Sequence, residues 1–496
     1  MKFLGIDVGT SSIKAVILDD EGKILESAKT DISNLLETPR LHWIQRDAEN
    51  LWRSIVSTIN RFKNLEDLTA ICVDATSGTI VPVDRRGNSI YSEIMYDDKR
   101  AQEELKEIYE RSPSARDYQV FLPLDANLVL PKILWLRKNT EILNKAYKIL
   151  HESDFVVMKL CGELFTSSNI AGKAHTDIRT GMYQEQIFAD LEIDLDLLPS
   201  IKPVGEIIGN STYEVSQKSK LPRDTPVING VTDATAGDIS TGVLEKGQIG
   251  VNIGTTMVIH AVVNQITPDP KKRLYYKAFL EDKYLVGGAT NAGTRSLDAI
   301  SRLLGKSPQE LDKDAEGTSP GSGGLIAQPQ WIGTRVPDFD PNVKGYLVGL
   351  TNANFTPGNI FRAFLEGNAV LLGEILDIIT DLNRVKIKEI RVCGGGAKSD
   401  VQSQIFADIT EKTVNAMETS EPAIGSAIIA CWGMRKRKQR IMEIAEKIIR
   451  VRKSFMPNPQ YQGLYRTQKE TFRRVAQALY PSHAFHNSSI KRQESL

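Results

Sequence analysis

The chain is 496 residues long, 41% hydrophobic and 25% charged, and its 62 basic residues balance 62 acidic ones to a net charge of +0. That length suits about three domains or two large ones, and the neutral balance argues against a protein built mainly to hold nucleic acid. No apolar run reaches the roughly 18 residues that a membrane span needs, and Asp7 interrupts the first apolar stretch too early for a secretory signal.

In chain order, residues 3–6 and 13–18 are apolar, β-rich runs around the polar centre Asp7-Val8-Gly9-Thr10-Ser11-Ser12. The pattern predicts a hairpin with a polar tip. Residues 51–62 place Leu51, Trp52, Ile55, Ile59 and Phe62 on one helical stripe. Residues 68–73 read as a strand, 132–136 as a short buried helix, and 226–228 as a strand entering Asn229-Gly230. Residues 251–258 then repeat the pattern of 6–13 class for class: apolar, acid or amide, apolar, Gly, Thr, then Ser or Thr. Two such openings are the mark of an internally duplicated fold. The boundary falls near residues 242–247, giving domains 1–244 and 245–480. Residues 318–324 and 337–341 are Gly/Pro-rich loops. Residues 361–379 form a long apolar helix, and 389–393 form a strand running into Gly394-Gly395-Gly396. Residues 424–434 suit a buried helix, 434–440 a solvated basic helix end, and 481–496 a disordered tail.

Cys72, Cys161, Cys393 and Cys431 are scattered, and the six histidines make no ligand pattern. No zinc site and a reducing, cytoplasmic setting are expected. Glycine followed by Thr at a hairpin tip exposes N–H groups and a hydroxyl that can hold phosphate oxygens. Gly9-Thr10 and Gly254-Thr255 each supply one such tip, and an ordinary turn is the alternative for either alone. Asp7, at the end of an apolar strand, is costly unless paired or facing a ligand. It could hold magnesium through water. Its counterpart in the second half is Asn252. Asp233 opens a run of small residues after Gly230. It reads either as a helix cap or as a general base for a substrate hydroxyl. The Gly394-Gly395-Gly396-Ala397-Lys398-Ser399 turn lets backbone lie flat against a planar or phosphorylated ligand. Neither a Walker-type loop nor a dinucleotide fingerprint is present.

Taken together, these residues resemble the FGGY carbohydrate kinases, within the actin-like, ribonuclease-H-like ATPase superfamily, over about residues 3–480. The first phosphate loop matches at residues 6–14. Trp43-Ile44-Gln45-Arg46-Asp47 is similar to the family's Trp-Val-Glu-Gln-Asp, and Tyr96-Asp97-Asp98-Lys99-Arg100 to its Trp-Asn-Asp-x-Arg. Asp233 falls on the catalytic aspartate, and Gly254-Thr255-Thr256 on the second phosphate loop. Residues 345–366 resemble the second-domain signature, and Gly394-Gly395-Gly396-Ala397 the adenosine loop. The resemblance implies an α/β, two-domain fold with a duplicated core and an interdomain cleft. It implies ATP with Mg2+ as phosphoryl donor and a small sugar as acceptor, with no nucleic acid or membrane partner. A homodimer is left open. The residues it implies for the sugar are Asp7, Ser77, Asp98 and Asp233, with Asp233 catalytic. Those for ATP are Gly9, Thr10, Gly254, Thr255, Gly394, Gly395, Gly396 and Ser399. Those for the metal are Asp7 and Asp233.

Two departures bear on the substrate. Glycerol kinases carry Arg-Glu, and xylulose kinases Met-His, where this chain has Asp74-Ala75-Thr76-Ser77-Gly78-Thr79. The Thr-Ser-rich version resembles the D-ribulose kinases, so a ketopentose is expected, D-ribulose first, with xylulose or another FGGY substrate as alternative. The usual Gly-Glu-Arg of the second domain reads Gly333-Thr334-Arg335. An actin-like or chaperone-like ATPase is the rival of another class, and the sugar-side acids argue against it.

Overall fold

The computed structural model describes residues 1–435 and 438–480 in full and the backbone onward to 494. It has two compact units. The first comprises Met1–Leu244, Tyr276–Tyr284 and Ser420–Ile449; the second comprises Glu245–Tyr275, Leu285–Thr419 and Arg450–Leu496. The expected tail, 481–496, has its side chains outside the described residues, as do residues 436 and 437 of the basic stretch.

In the first unit the predicted hairpin is β1 (Lys2–Val8) and β2 (Ser12–Asp19). β3 (Ile24–Asp31) pairs antiparallel with β2, and β4 (Leu68–Ala75) pairs parallel with β1. β5 (Ile207–Asn210) and β6 (Pro226–Ile228) complete the order β5-β6-β4-β1-β2-β3. β1 is buried on both faces, so its residues divide by parity. Leu4, Ile6 and Val8 join a core with helix α1 (Ala48–Ile59), while Phe3 joins a second core on the opposite face. α1 starts three residues before the predicted stripe because Asp47 caps it, its carboxylate accepting from Asn50 N–H at 2.9 Å. A smaller five-stranded sheet, holding Gln45–Arg46, Glu93–Ile94, Ile80–Val83 and Lys148–His151, is accompanied by α2 (Val129–Asn139) and α3 (Glu152–Cys161). After β6, α4 (Asp233–Ser240) begins at the predicted acid.

The second unit repeats the plan. β7 (Gln248–Ile253) and β8 (Met257–Val263) form the second hairpin. β9 (Tyr284–Thr290), β10 (Glu389–Cys393), β11 (Val414–Met417) and β12 (Val451–Phe455) extend it in the order β9-β8-β7-β10-β11-β12. β7–β10 and β10–β11 are parallel and β11–β12 antiparallel, matching the corresponding pairs of the first sheet. The duplication is therefore one of topology. The hairpins themselves differ by a residue. Val8 faces Ile13 across the first turn, whereas Ile253 faces Met257 across the second. The position-by-position sequence match thus breaks after Thr255: Met257, fully buried, takes the place of Ile13, not of Ser12. The long helix is α5 (Pro357–Asn383), and α6 (Asp400–Thr410) follows the glycine turn.

α7 (Pro422–Met434), the predicted buried helix, belongs to the first unit, a return that the sequence boundary after 244 did not foresee. Its Ile424, Ala427 and Ile428 pack in the core of Phe3, Cys72 and Ala236. The approach is close: a Cβ on Gly5 would lie 1.8 Å from the Ala423 carbonyl oxygen.

Candidate active site

Asp7 follows Phe3 and Gly5 in parity, so it points to the α7 face at the carboxyl end of β1. The register sets Asp74 beside it on β4 and Lys14 opposite it on β2. Asp7 is 6% exposed, and burial together with the charge of Asp233 pushes its carboxyl up to about 7. Lys14 offsets this only in part, since its ammonium also pairs with Glu421 at 2.7 Å. Asp74 is fully buried and lies well above the carboxylate range, first through burial and then through Asp7. One of its oxygens accepts from the Ser426 hydroxyl of α7 at 2.6 Å. Burial raises all three carboxyls, Asp7, Asp74 and Asp233, a crowding of acids that a cation would relieve.

Asp233 is the first residue of α4, and Thr232 is its cap residue. Asp233 therefore stands one position past the cap. One oxygen accepts from Ala234 N–H at 2.7 Å. Burial raises its pKa, while the Ala234 bond, Lys277 and Lys173 pull it down. A Cβ on Gly230 would come 2.3 Å from the Val73 carbonyl oxygen, so the turn leading to Asp233 needs glycine to lie against β4.

The turn after β4 is held from several sides. Thr76 donates its N–H at 3.1 Å and its hydroxyl to Glu152, and its hydroxyl lies 2.7 Å from that of Thr79. Lys173 donates to the Ser77 carbonyl at 2.8 Å, and Lys132 to the Gly78 carbonyl at 2.7 Å. Thr76 and Ser77 cap no helix. Thr76 has its hydroxyl engaged, which leaves the half-buried Ser77 side chain as the hydroxyl the turn can offer a ligand. Lys173 also senses Asp233, and its ammonium lies 6.0 Å from the Tyr96 ring.

The other expected residues already have partners within the protein or lie open. Asp98 is 1% exposed and saturated: one oxygen accepts from Arg100 N and Nε at 2.8 and 2.9 Å, the other from Ile44 N and Arg100 Nη2 at 2.5 and 2.8 Å. It frames the Trp43–Arg100 segment and has no lone pair to spare for a sugar. The Ser399 hydroxyl donates to Asp312 at 2.8 Å and accepts from Gln402 N–H at 3.1 Å as the cap of α6. The hydroxyl thus serves the start of α6. The N–H groups of Gly9 and Gly254 donate across their own turns, each at 3.0 Å. The tip residues Thr10, Ser11 and Thr255 thus stand outside the ladder. Gly394 and Gly395 are exposed, Gly394 has φ +85°, and nothing lies within 4 Å of a Cβ placed on Gly395. Sequence reasoning missed Asp74, Glu152, Lys173 and Lys277 as parts of the site. No short motif announces them.

Residues 2–240 match the N-terminal domain, and residues 251–434 the C-terminal domain, of the FGGY family of carbohydrate kinases. The chain belongs to this family. It is 26% identical to a xylulose kinase of Lactococcus lactis, covering 96% of this chain and 97% of the relative. It is 26% identical to a gluconokinase of Bacillus licheniformis, covering 87% and 88%. The ligand-bound xylulose kinase structure from Lactobacillus acidophilus superposes with a TM-score of 0.88 at 22% identity, covering 98% of this chain and 99% of that one. A glycerol kinase with ADP from Plasmodium falciparum gives 0.84 at 20%, covering 95% and 97%. These likenesses establish the actin-like ATPase fold. As an FGGY kinase the chain transfers a phosphoryl group from ATP to a carbohydrate. No helix among the described residues is long and apolar enough to cross a membrane.

Proposed function

We propose that this FGGY kinase phosphorylates a ketopentose, with D-ribulose preferred to D-xylulose and glycerol. The observation that carries the reading is the turn of residues 74–79. Where other members place Arg-Glu or Met-His, this chain offers the short Ser77 hydroxyl on a rigidly held backbone. Short side chains leave room for a longer acceptor than glycerol. A site built around placed hydroxyls discriminates strongly, because an unmatched buried group stays unpaired. D-xylulose is the second reading, favoured by relatives that bear the name xylulose kinase. A coupled assay comparing kcat/KM for the three substrates decides. Higher efficiency with D-xylulose or glycerol would overturn the preference and leave the kinase assignment standing.

In this reading Asp233 takes the proton of the attacking hydroxyl as it meets the γ-phosphorus. Its second oxygen is the one available for that proton. Burial raises the pKa of Asp233, and Lys277 and Lys173 act in the opposite direction, toward the carboxylate. Ser77 and Asp7 orient the sugar. Thr10 in the first unit and Thr255 in the second offer donors to phosphate oxygens, and the open Gly394-Gly395-Gly396 backbone offers a flat surface to adenosine. Magnesium suits the acid-rich end of β1, since this ion uses one or two carboxylates with phosphate and water. Asp7 and Asp233 would hold it, and it would neutralise phosphate charge. The four cysteines are buried and free, in keeping with a cytoplasmic enzyme.

A further inference from the structure

Among the described residues the largest fully buried side chain is an arginine, Arg46. A guanidinium sealed from water costs several kcal/mol unless its donors are met. Two fully buried carboxylates meet them: Arg46 Nε pairs with Glu93 and Nη2 with Glu152. Such a triad is often replaceable by apolar side chains without loss of stability, so stability alone does not account for it. Its outer ends are more telling. Arg46 Nη1 points at the Gly9 carbonyl at 3.4 Å. The second Glu152 oxygen takes both the N–H and the hydroxyl of Thr76. From Thr76 the chain of bonds continues through the Thr79 hydroxyl, which accepts from Tyr96 N–H at 3.1 Å. The Tyr96 phenol lies within electrostatic reach of the Thr10 side chain, next to Gly9. The bonded run starts at the Gly9 carbonyl of the hairpin tip, passes through the turn that carries Ser77 and ends at the Tyr96 backbone. All of it lies in the first unit.

We propose that Arg46 and Glu152 are positioning residues for phosphoryl transfer, fixing the distance between the Gly9-Thr10 tip and the Thr76–Thr79 turn. The proposal rests on reading those two turns as phosphate and sugar contacts. Neither residue touches substrate. Arg46 holds one backbone carbonyl and Glu152 one backbone N–H, so a shift of either moves a whole turn. Misplacement of reacting groups by about 1 Å costs on the order of a hundredfold in rate.

The test is steady-state kinetics of the full chain with ATP and D-ribulose or D-xylulose, whichever the parent enzyme turns over faster. Glu152→Gln keeps the shape and removes the charge. Thr76→Val removes only the hydroxyl and serves if the first variant does not fold. Both are expected to lower kcat about tenfold to a hundredfold while leaving the KM for ATP within about twofold. Thr76→Ser, which retains the hydroxyl, should restore kcat. Combining Glu152→Gln with Ser77→Ala should cost less than the two losses added, since both act through one turn. Folded Glu152→Gln or Thr76→Val protein with parental kcat and only a lowered thermal midpoint would overturn the proposal, leaving a structural triad. Parental kinetics in both Ser77→Ala and Thr10→Ala would instead remove the reading of the two turns, and the proposal with it.

Discussion

At the scale of single residues, the carboxyls divide by what they can still bind. Asp98 has every lone pair committed, whereas Asp233 keeps an oxygen free beside two lysines. Asp233→Asn is expected to lower kcat by about a hundredfold to ten-thousandfold while sugar and ATP still bind by calorimetry. Parental turnover would show that the base lies elsewhere. His175 makes a separate prediction. Burial alone lowers its pKa from 6.5 to about 4, so it is neutral in the folded protein. The unfolded chain takes up a proton below 6.5, and the stability that follows from the neutral ring is lost as pH falls from there toward 4. The full effect is about 3 kcal/mol. His175 has φ +59°, which Asn also tolerates. In urea titrations His175→Asn should therefore gain on the parent between about pH 7 and pH 4.5, with His151 cancelling from the difference. A constant gap across that range would mean that the folded state protonates the ring.

Whole elements show what was legible in the sequence. The hairpins, β4, β6, α5 and α7 announce themselves, because buried strands and helices write runs of apolar letters. The acid after Gly230 was legible because the small residues around it mark a tight approach. Arg46 and Glu152 were not: they stand 106 positions apart, and only the packing of the five-stranded sheet against α3 joins them. The one-residue difference between the hairpins was hidden too, since Thr-Thr and Thr-Ser-Ser tips read alike until strand register is known. The glycine turn after β10 yields a prediction at this scale. Gly395→Val has open space and should fold, yet weaken ATP binding measured by calorimetry, because its side chain occupies the surface proposed for adenosine. Unchanged affinity would move that surface elsewhere. Gly396→Val would meet Ile253 Cγ2 at 2.4 Å and should fail by unfolding instead. Likewise Gly5→Ala drives a methyl into the α7 backbone, and overpacking of this kind costs about 1–3 kcal/mol, readable as a fall in the urea midpoint.

For the molecule as a whole, the repeated strand order shows one plan used twice, with function diverging in the turns. Asp7 keeps its acid where the second copy has Asn252, and the two tips differ in length. This division also explains why the two domain matches settle the family while relatives near 26% identity leave the sugar to be measured: sheet order and core tolerate exchange, whereas a preference between sugars rests on a few groups in one turn. The D-ribulose preference proposed above is therefore the most exposed of the expectations, and the sugar panel addresses it directly.

The return of residues 420–449 to the first unit has a consequence for how the polypeptide is made. A ribosome releases β1–β6 and α4 long before α7 exists, so Phe3, Cys72 and Ala236 emerge without the helix that covers them. At about 5–20 residues per second the wait between residues 244 and 434 is roughly ten to forty seconds. Through that interval the nascent first unit lacks the helix that covers this apolar face. A message cut after codon 244 would encode a protein that never closes that face. A gene rearranged so that residues 420–449 follow 244 directly should release it sooner, and ribosome-bound protease protection would time the difference.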